Sequence, residues 1–424
     1  MSKIRTIKDV VDRNLCIGCG ACYYGLGGEG VKLVDFLADG IRPVFTEKAA
    51  SSTEPLEYCP GYRVDVRGYS SALPADADRN PLIGATLGVW EGHSVDPEIR
   101  YHGSSGGVLT ALALYCLERE NMAFVLHTGM DEAEPWRNRT VVSRTRSELL
   151  RNAGSRYATS SPCDSLDLIE RSDRPCVFIG KPCDVAAVQS LRKTRPALDR
   201  NLGLVLSFFC AGTPSTHGTL ELIDGFGVSR DEVTEVRYRG EGWPGSFRLR
   251  LEDRLERPSL SYLESWGRMQ RHRPLRCHIC PDSLGELSDI TSGDAWHRYE
   301  SGDRNDGLSL ILARSERGRE ILRKAAEAGY LSVEPSSPAN VIRAQGVLER
   351  RRQLFGRIAA MRLLGVPVTR LEGFHLFSSW LGIPLRLKLK TVAGTIWRVV
   401  KRGYRKKRDF SSPAALRGAK SVSR

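Results

Sequence analysis

The chain is 424 residues long, with 41% hydrophobic residues, 63 Lys and Arg against 50 Asp and Glu, and a net charge of +13. That length suits two or three domains and the apolar share supports a sizeable core, which excludes a disordered polyelectrolyte. Eleven cysteines, no apolar h-region in Met1 to Asp9 and no run approaching roughly 18 apolar residues lead us to expect a cytosolic chain with metal or redox chemistry, neither exported nor membrane-spanning.

Cys16-Ile-Gly-Cys-Gly-Ala-Cys22 places three thiols at two-residue gaps, separated by glycines that let the backbone curl around one inorganic cluster. In the ferredoxin run C-x2-C-x2-C-x3-C-P the fourth thiol follows at once. Here the Cys-Pro pair is Cys59-Pro60, beyond an insertion of 36 residues. Cys16, Cys19, Cys22 and Cys59 are therefore expected to hold one [4Fe-4S] cluster. Zinc is the alternative, but zinc knuckles usually pair two C-x2-C arms.

Val31-Lys-Leu-Val and Pro43-Val-Phe read as strands flanking an Asp39-Gly40 turn, a hairpin on a small ferredoxin-like module. Residues 70–80 have linker composition, and a new domain is expected near Pro81. His102-Gly-Ser-Ser-Gly-Gly-Val then opens a helix. The turn suits either an anion on free helix N–H groups or an ordinary Ser cap, and the sequence leaves the two equal. Beyond it the chain alternates: strands at Ala123–His127, Cys176–Ile179 and Leu202–Phe209, helices at Thr145–Asn152, Asp184–Lys193 and Ser215–Phe226. Strands at Glu235–Arg239 and Ser246–Leu251 follow, then a strand at Leu308–Leu312 and a helix at Ser315–Ala328.

Cys277-x2-Cys280-Pro281 is half a metal site, so two further ligands must come from afar. Cys183 and Cys210 each end an apolar strand, and parallel strand ends converge on one sheet edge. Cys116, Cys163 and Cys176 remain, and Cys116, mid-helix, reads as a small core residue.

Ser105-Gly-Gly-Val, Gly154-Ser-Arg-Tyr-Ala, Phe178-Ile-Gly-Lys-Pro-Cys-Asp, Cys210-Ala-Gly-Thr-Pro-Ser, Arg239-Gly-Glu-Gly-Trp-Pro-Gly and Cys277-x2-Cys280-Pro-Asp-x6-Asp-Ile-x2-Gly-Asp follow one another in order. Over roughly residues 10–330 this set resembles the coenzyme F-420 hydrogenase/dehydrogenase beta-subunit family of iron–sulfur flavoproteins. The resemblance implies FAD contacts at Ser104, Ser105, Gly106 and Gly107 and at Ser155, Arg156 and Tyr157. It also implies a second [4Fe-4S] cluster on Cys183, Cys210, Cys277 and Cys280. Electrons would pass between the clusters, FAD and coenzyme F-420 or another organic substrate, with a ferredoxin-like donor or another redox subunit as partner. Lys181-Pro-Cys-Asp184 departs from the family's commoner Thr-Pro-Cys-Gln, and Cys210-Ala-Gly from Cys-His-Gly. No hydrogenase metal motif is present, so the chain is not expected to activate hydrogen by itself.

Asp294 matches the family and is expected to bind the flavin or shape its pocket, and Arg239 to cover the ring system or substrate. His102 and His297 read as hydrogen-bonding residues before catalysts. The expected fold is α/β (α+β): a ferredoxin-like module (1–80), an FAD-binding N-terminal domain (81–170), a C-terminal domain with the second cluster and the flavin and substrate pocket (171–335), and a helical, basic, amphipathic tail (336–424). Thirteen Lys and Arg from Arg386 to Arg424 face Asp409 alone, so the last segment carries +12 and residues 1–383 only +1. Leu385, Leu389, Ile396 and Trp397 interleave with these cations, which suits an anionic membrane surface better than nucleic acid and places the enzyme in the cytoplasm, peripheral at the inner membrane face. The competing function is a nonredox, zinc-binding, membrane-associated assembly protein.

Overall fold

The computed structural model describes residues 4–252, 258–299 and 306–422, so the N-terminal Met1 to Lys3 and the last cation, Arg424, lie outside the described residues. A mixed eight-stranded sheet runs Leu331–Pro335, Gly88–Ser94, Ser309–Ala313, Ile290–Asp294, Leu202–Phe208, Cys176–Gly180, Val125–Met130, Asn138–Ser143. Its centre is parallel, from Val125–Met130 through Cys176–Gly180 and Leu202–Phe208 to Ile290–Asp294, and its flanks are antiparallel. Central parallel strands are covered on both faces, which is why they read as near-continuous apolar runs. Alternation divides them: Val177, Leu204 and Leu206 pack with Leu112 and Leu114 of helix Val108–Glu118 and Ile321 of helix Glu316–Glu327. Phe178 and Val205 pack with Val185, Val188 and Leu191 of helix Pro182–Leu191 on the other face. The α/β expectation is borne out, with the predicted elements displaced by a few residues at their ends.

Three local differences have physical causes. The strand expected at Glu235–Arg239 runs Val233–Arg237, because Gly240 at φ 94° turns Arg239 inward; with Ser246–Leu251 and Ser259–Ser261 it makes a separate antiparallel sheet. The linker-like stretch ends in a strand, Asp78–Asn80, paired with Gly84–Thr86. Cys183 lies not at a strand end but in the first turn of helix Pro182–Leu191.

The hairpin forms as Val31–Phe36 against Gly40–Phe45. The basic C-terminus is not an appendage to it. Lys420–Ser421 adds a third strand beside Val34 and Asp35, Phe410 packs on Phe36 at 5.0 Å, and the Arg408 N–H donates to the Asp12 carbonyl. Helix Leu385–Lys401 buries Thr391, Thr395 and Val399 against helix Val347–Leu363. Among the described residues no helix is long and apolar enough to cross a membrane.

Candidate functional site

A cavity of about 400 Å³ opens at the carboxyl ends of the central strands, a size common for cofactor sites. One wall is the loop from Gly103 and the first turn of helix Val108–Glu118. Gly107 stands at the N-cap with φ 75° and the helix carries no side-chain cap, which overturns the Ser-cap alternative. A Cβ at Gly107 would meet the Ile99 carbonyl oxygen at 2.8 Å, so the tight turn requires glycine. The uncapped N–H groups of Val108 to Thr110 border the cavity and favour an anionic group.

The second wall is Ser155 to Tyr157, and the Ser155 N–H donates to Ser104 Oγ at 2.6 Å, joining two motifs 51 residues apart. Arg156 donates to the carbonyls of Val236, Pro135 and Arg137, so its guanidinium fixes the wall. Tyr157 packs on Trp266. Gly106 lies behind the wall: its N–H donates to Ser309 Oγ, and a Cβ would meet the Gly92 carbonyl oxygen at 2.6 Å.

At the floor Arg239 and Asp294 form a bidentate pair at 2.8 and 2.7 Å, and Trp243 Nε1 donates to the same carboxylate. Burial alone would lower the Arg239 pKa, but Asp294 outweighs it and holds it up. Arg239 lies over Tyr262, itself stacked with Trp296, so its charge is already neutralised and its plane is held by aromatic faces. His297 bonds Glu91 at 3.0 Å, and neither its ring nor that of His102 reaches the cavity wall. His127 does; burial depresses it to about 4, so it is neutral at pH 7.

Cys16, Cys19, Cys22 and Cys59 line one pocket with Ile7, Val10 and Val11. Burial first, then Cys16, Cys19 and Cys59, push the Cys22 thiol well up. Cys183, Cys210, Cys277 and Cys280 are near enough to act on one another electrostatically. Burial, then Cys277 and Cys280, push Cys210 up to about 12, and Cys210 and Cys280 also act on Cys183. Such thiols ionise together only around a compensating cation. Among the described residues, the group whose ligand atoms all lie within 4.8 Å of one another is His217, Glu221 and His272, not either thiol set.

Arg276 and Cys163, which no motif singled out, tie the two sets to their surroundings together with Lys181. Arg276, buried, donates to the Pro60 carbonyl beside Cys59 and acts electrostatically on Cys280 and Cys183. Cys163, buried, donates its backbone N–H to the Cys19 carbonyl, and its thiol lies against the Asp184 carbonyl. Lys181 Nζ reaches Asp184 at 2.7 Å and Ser160 Oγ at 3.0 Å, and it lines the cavity together with Cys210. Position beside the Cys-x2-Cys pair was the available signal for Arg276; Cys163 offered none.

Residues 89–166 match the family model described as coenzyme F-420 hydrogenase/dehydrogenase, beta subunit N-term, and residues 173–339 match the companion model for the C terminus of that beta subunit, together more than half of the chain. The chain belongs to the coenzyme F-420 hydrogenase/dehydrogenase beta-subunit family. Its relatives include the coenzyme F-420 hydrogenase subunit beta of Methanococcus voltae, 25% identical over 65% of this chain and 95% of that protein. The coenzyme F-420-dependent sulfite reductase of Methanocaldococcus jannaschii is 22% identical over 82% of this chain and 52% of that one. A chain of the xenon-derivatised F-420-reducing [NiFe] hydrogenase complex from Methanosarcina barkeri shares the fold, with TM-score 0.55 and 21% identity over 70% of this chain and 99% of that chain. The family is one of redox-enzyme subunits. The second thiol set and the cavity wall before Ala344 lie within the matched residues, whereas Cys16, Cys19, Cys22 and Cys59 precede them.

Proposed function

We propose that the chain is an FAD- and [4Fe-4S]-dependent oxidoreductase subunit that exchanges electrons with coenzyme F-420 or another organic substrate. The observation that carries this reading is that Cys210, one of four converging thiols, stands in the wall of the cavity faced by Ser104, Ser105 and Gly107 and by Ser155 to Tyr157. Cys16, Cys19, Cys22 and Cys59 would hold one cluster and Cys183, Cys210, Cys277 and Cys280 the other. When bound, the clusters supply one-electron transfer and the flavin couples it to two-electron chemistry.

The chain's own groups then have defined tasks. The uncapped helix turn at Val108 receives the cofactor's diphosphate, and Ser104 holds the second wall against the first. Arg239 and Asp294 fix Tyr262 and Trp296 as an aromatic floor. Lys181, paired with Asp184, sets a buried ion pair between the thiols and the cavity. An acidic or redox-subunit donor would deliver electrons at the first thiol set. Reduction of the loaded protein by dithionite, then addition of oxidised F-420 under anaerobic conditions, tests the reading. Loss of deazaflavin absorbance matched to reoxidation of the protein is expected; iron- and flavin-loaded protein that exchanges electrons with neither F-420 nor any other organic acceptor would contradict it.

Association with an anionic membrane surface forms part of the same proposal. Leu385, Leu389, Ile396 and Val400 share an exposed face of helix Leu385–Lys401, with Arg386, Lys390, Trp397 and Lys401 along its side, and exposed Phe377 and Leu381 extend the apolar area. Apolar and cationic stripes side by side complement anionic lipid. Leu389→Asp with Trp397→Asp, both at exposed positions, should abolish co-sedimentation with phosphatidylglycerol vesicles, and unchanged binding would remove this part.

A further inference from the structure

Five arginines from three segments converge beside the second thiol set. Arg273 precedes the Cys277 turn, Arg350 and Arg357 lie seven residues apart on helix Val347–Leu363, and Arg398 and Arg402 lie at the end of the C-terminal helix. Burial and then Arg398, Arg350 and Arg273 pull Arg357 down to about 10. Arg273 is lowered by burial, Arg350 and Arg402.

Among the described residues none of the five has a carboxylate in ion-pair range, although Arg351 and Arg352 on the same helix pair with Glu286 and Glu349. Their hydrogen bonds go to neutral acceptors. Arg273 and Arg350 share the Ala211 carbonyl, Arg357 takes the His278 carbonyl and Gln353, Arg398 takes Thr395 and Arg402 takes Tyr404. Arg357 Nε is buried without a partner. The proposed cluster would offset Arg273 and Arg350, which act on or feel the thiols, but no thiol is among the groups acting on Arg357. Like charges gathered without a carboxylate partner call for a multivalent anion, and guanidinium forks match phosphate oxygens.

We propose that Arg273, Arg350, Arg357, Arg398 and Arg402 form a phosphate-binding pocket between helix Val347–Leu363 and the C-terminal helix. The phosphate is either a free phosphate or soluble ester, or the headgroup of a lipid at the membrane face argued above. The pocket itself does not depend on the redox reading, because binding can be followed in protein of any matched metal content.

The test uses full-length protein and inorganic pyrophosphate at constant ionic strength set with chloride. Pyrophosphate should raise the melting temperature by a few degrees and bind in calorimetry. Arg350→Gln with Arg357→Gln should weaken binding roughly tenfold or more and melt no lower than wild type without pyrophosphate, because like-charge repulsion is relieved. Arg319→Gln with Arg323→Gln, exposed on helix Glu316–Glu327, should bind as wild type. Vesicles separate the sources: a preference of wild type, lost in the Arg350/Arg357 variant, for phosphatidic acid over phosphatidylglycerol at equal charge assigns the lipid headgroup, whereas pyrophosphate binding with no such preference assigns the soluble anion. No pyrophosphate binding by folded wild type, or equal binding by a folded Arg350/Arg357 variant, overturns the pocket.

Discussion

The two thiol sets are built in opposite ways. The first takes three thiols from seven consecutive residues and packs them among Ile7, Val10 and Val11, with Arg42 as the cation acting on Cys16. The second draws on a helix turn, a strand end and a loop, and cations outnumber carboxylates around it: Lys181 is paired with Asp184 beside Cys183, Arg276 and Arg350 outnumber Asp282 near Cys280, and Arg273 lies near Cys277. A local motif thus makes an apolar cradle, whereas the sheet edge makes a positive one. Positive surroundings favour the reduced, more negative cluster, so on the proposed reading electrons run from the first set towards the second and the cavity.

The largest effect that sharpens this comparison is iron loss. Cys59→Ala and Cys183→Ala should each remove about four of about eight irons per chain, in each case leaving the other set's spectrum. If both variants lose all the iron, the sets are not independent. A smaller effect concerns potential. Arg276→Gln removes a buried charge beside Cys280 and Cys183 and should lower the second centre's midpoint by on the order of 50–100 mV while moving the first much less. Equal shifts would show that the cations do not distinguish the sets.

The cavity wall adds a pH test. Unfolded His127 takes up a proton near its ordinary 6.5, but in the folded protein only near 4, because burial disfavours the charge. Between those values the unfolded chain binds more protons, so stability falls as pH drops from about 6.5 towards 4, by up to about 3 kcal/mol, and His127 contributes no pH dependence above that window. Denaturant titrations of His127→Gln should show a flatter profile there; an unchanged slope would assign the acid sensitivity elsewhere. Smallest of all, Ser104→Ala deletes the bond to the Ser155 N–H and should cost about 1 kcal/mol, or about fivefold in FAD affinity, measured by fluorescence titration.

Much of this is legible in the sequence because it is local. Short apolar runs and helical periodicity locate the central strands and helices, and Cys16 to Cys22 announce the first set by spacing alone. The Cys59 and second-set assignments require Cys-Pro pairs and family motifs, since ligands from separate strands leave no periodic trace. The arginine group is invisible there: Arg273, Arg350 and Arg398 are far apart in sequence, and net charge places the basic character in a tail. That tail has the polar composition of a detached segment, yet Phe410 and the short Lys420–Ser421 strand tie it to the hairpin. Gly106 reads as a cofactor contact, but its backbone is used to pack the loop on the sheet.

Iron, sulfide, zinc and flavin analysis of anaerobically purified full-length protein is the most direct measurement. About eight iron, about eight sulfide and one FAD per chain are expected for two [4Fe-4S] centres and one cavity. A colourless protein that carries zinc and no flavin would contradict the redox function.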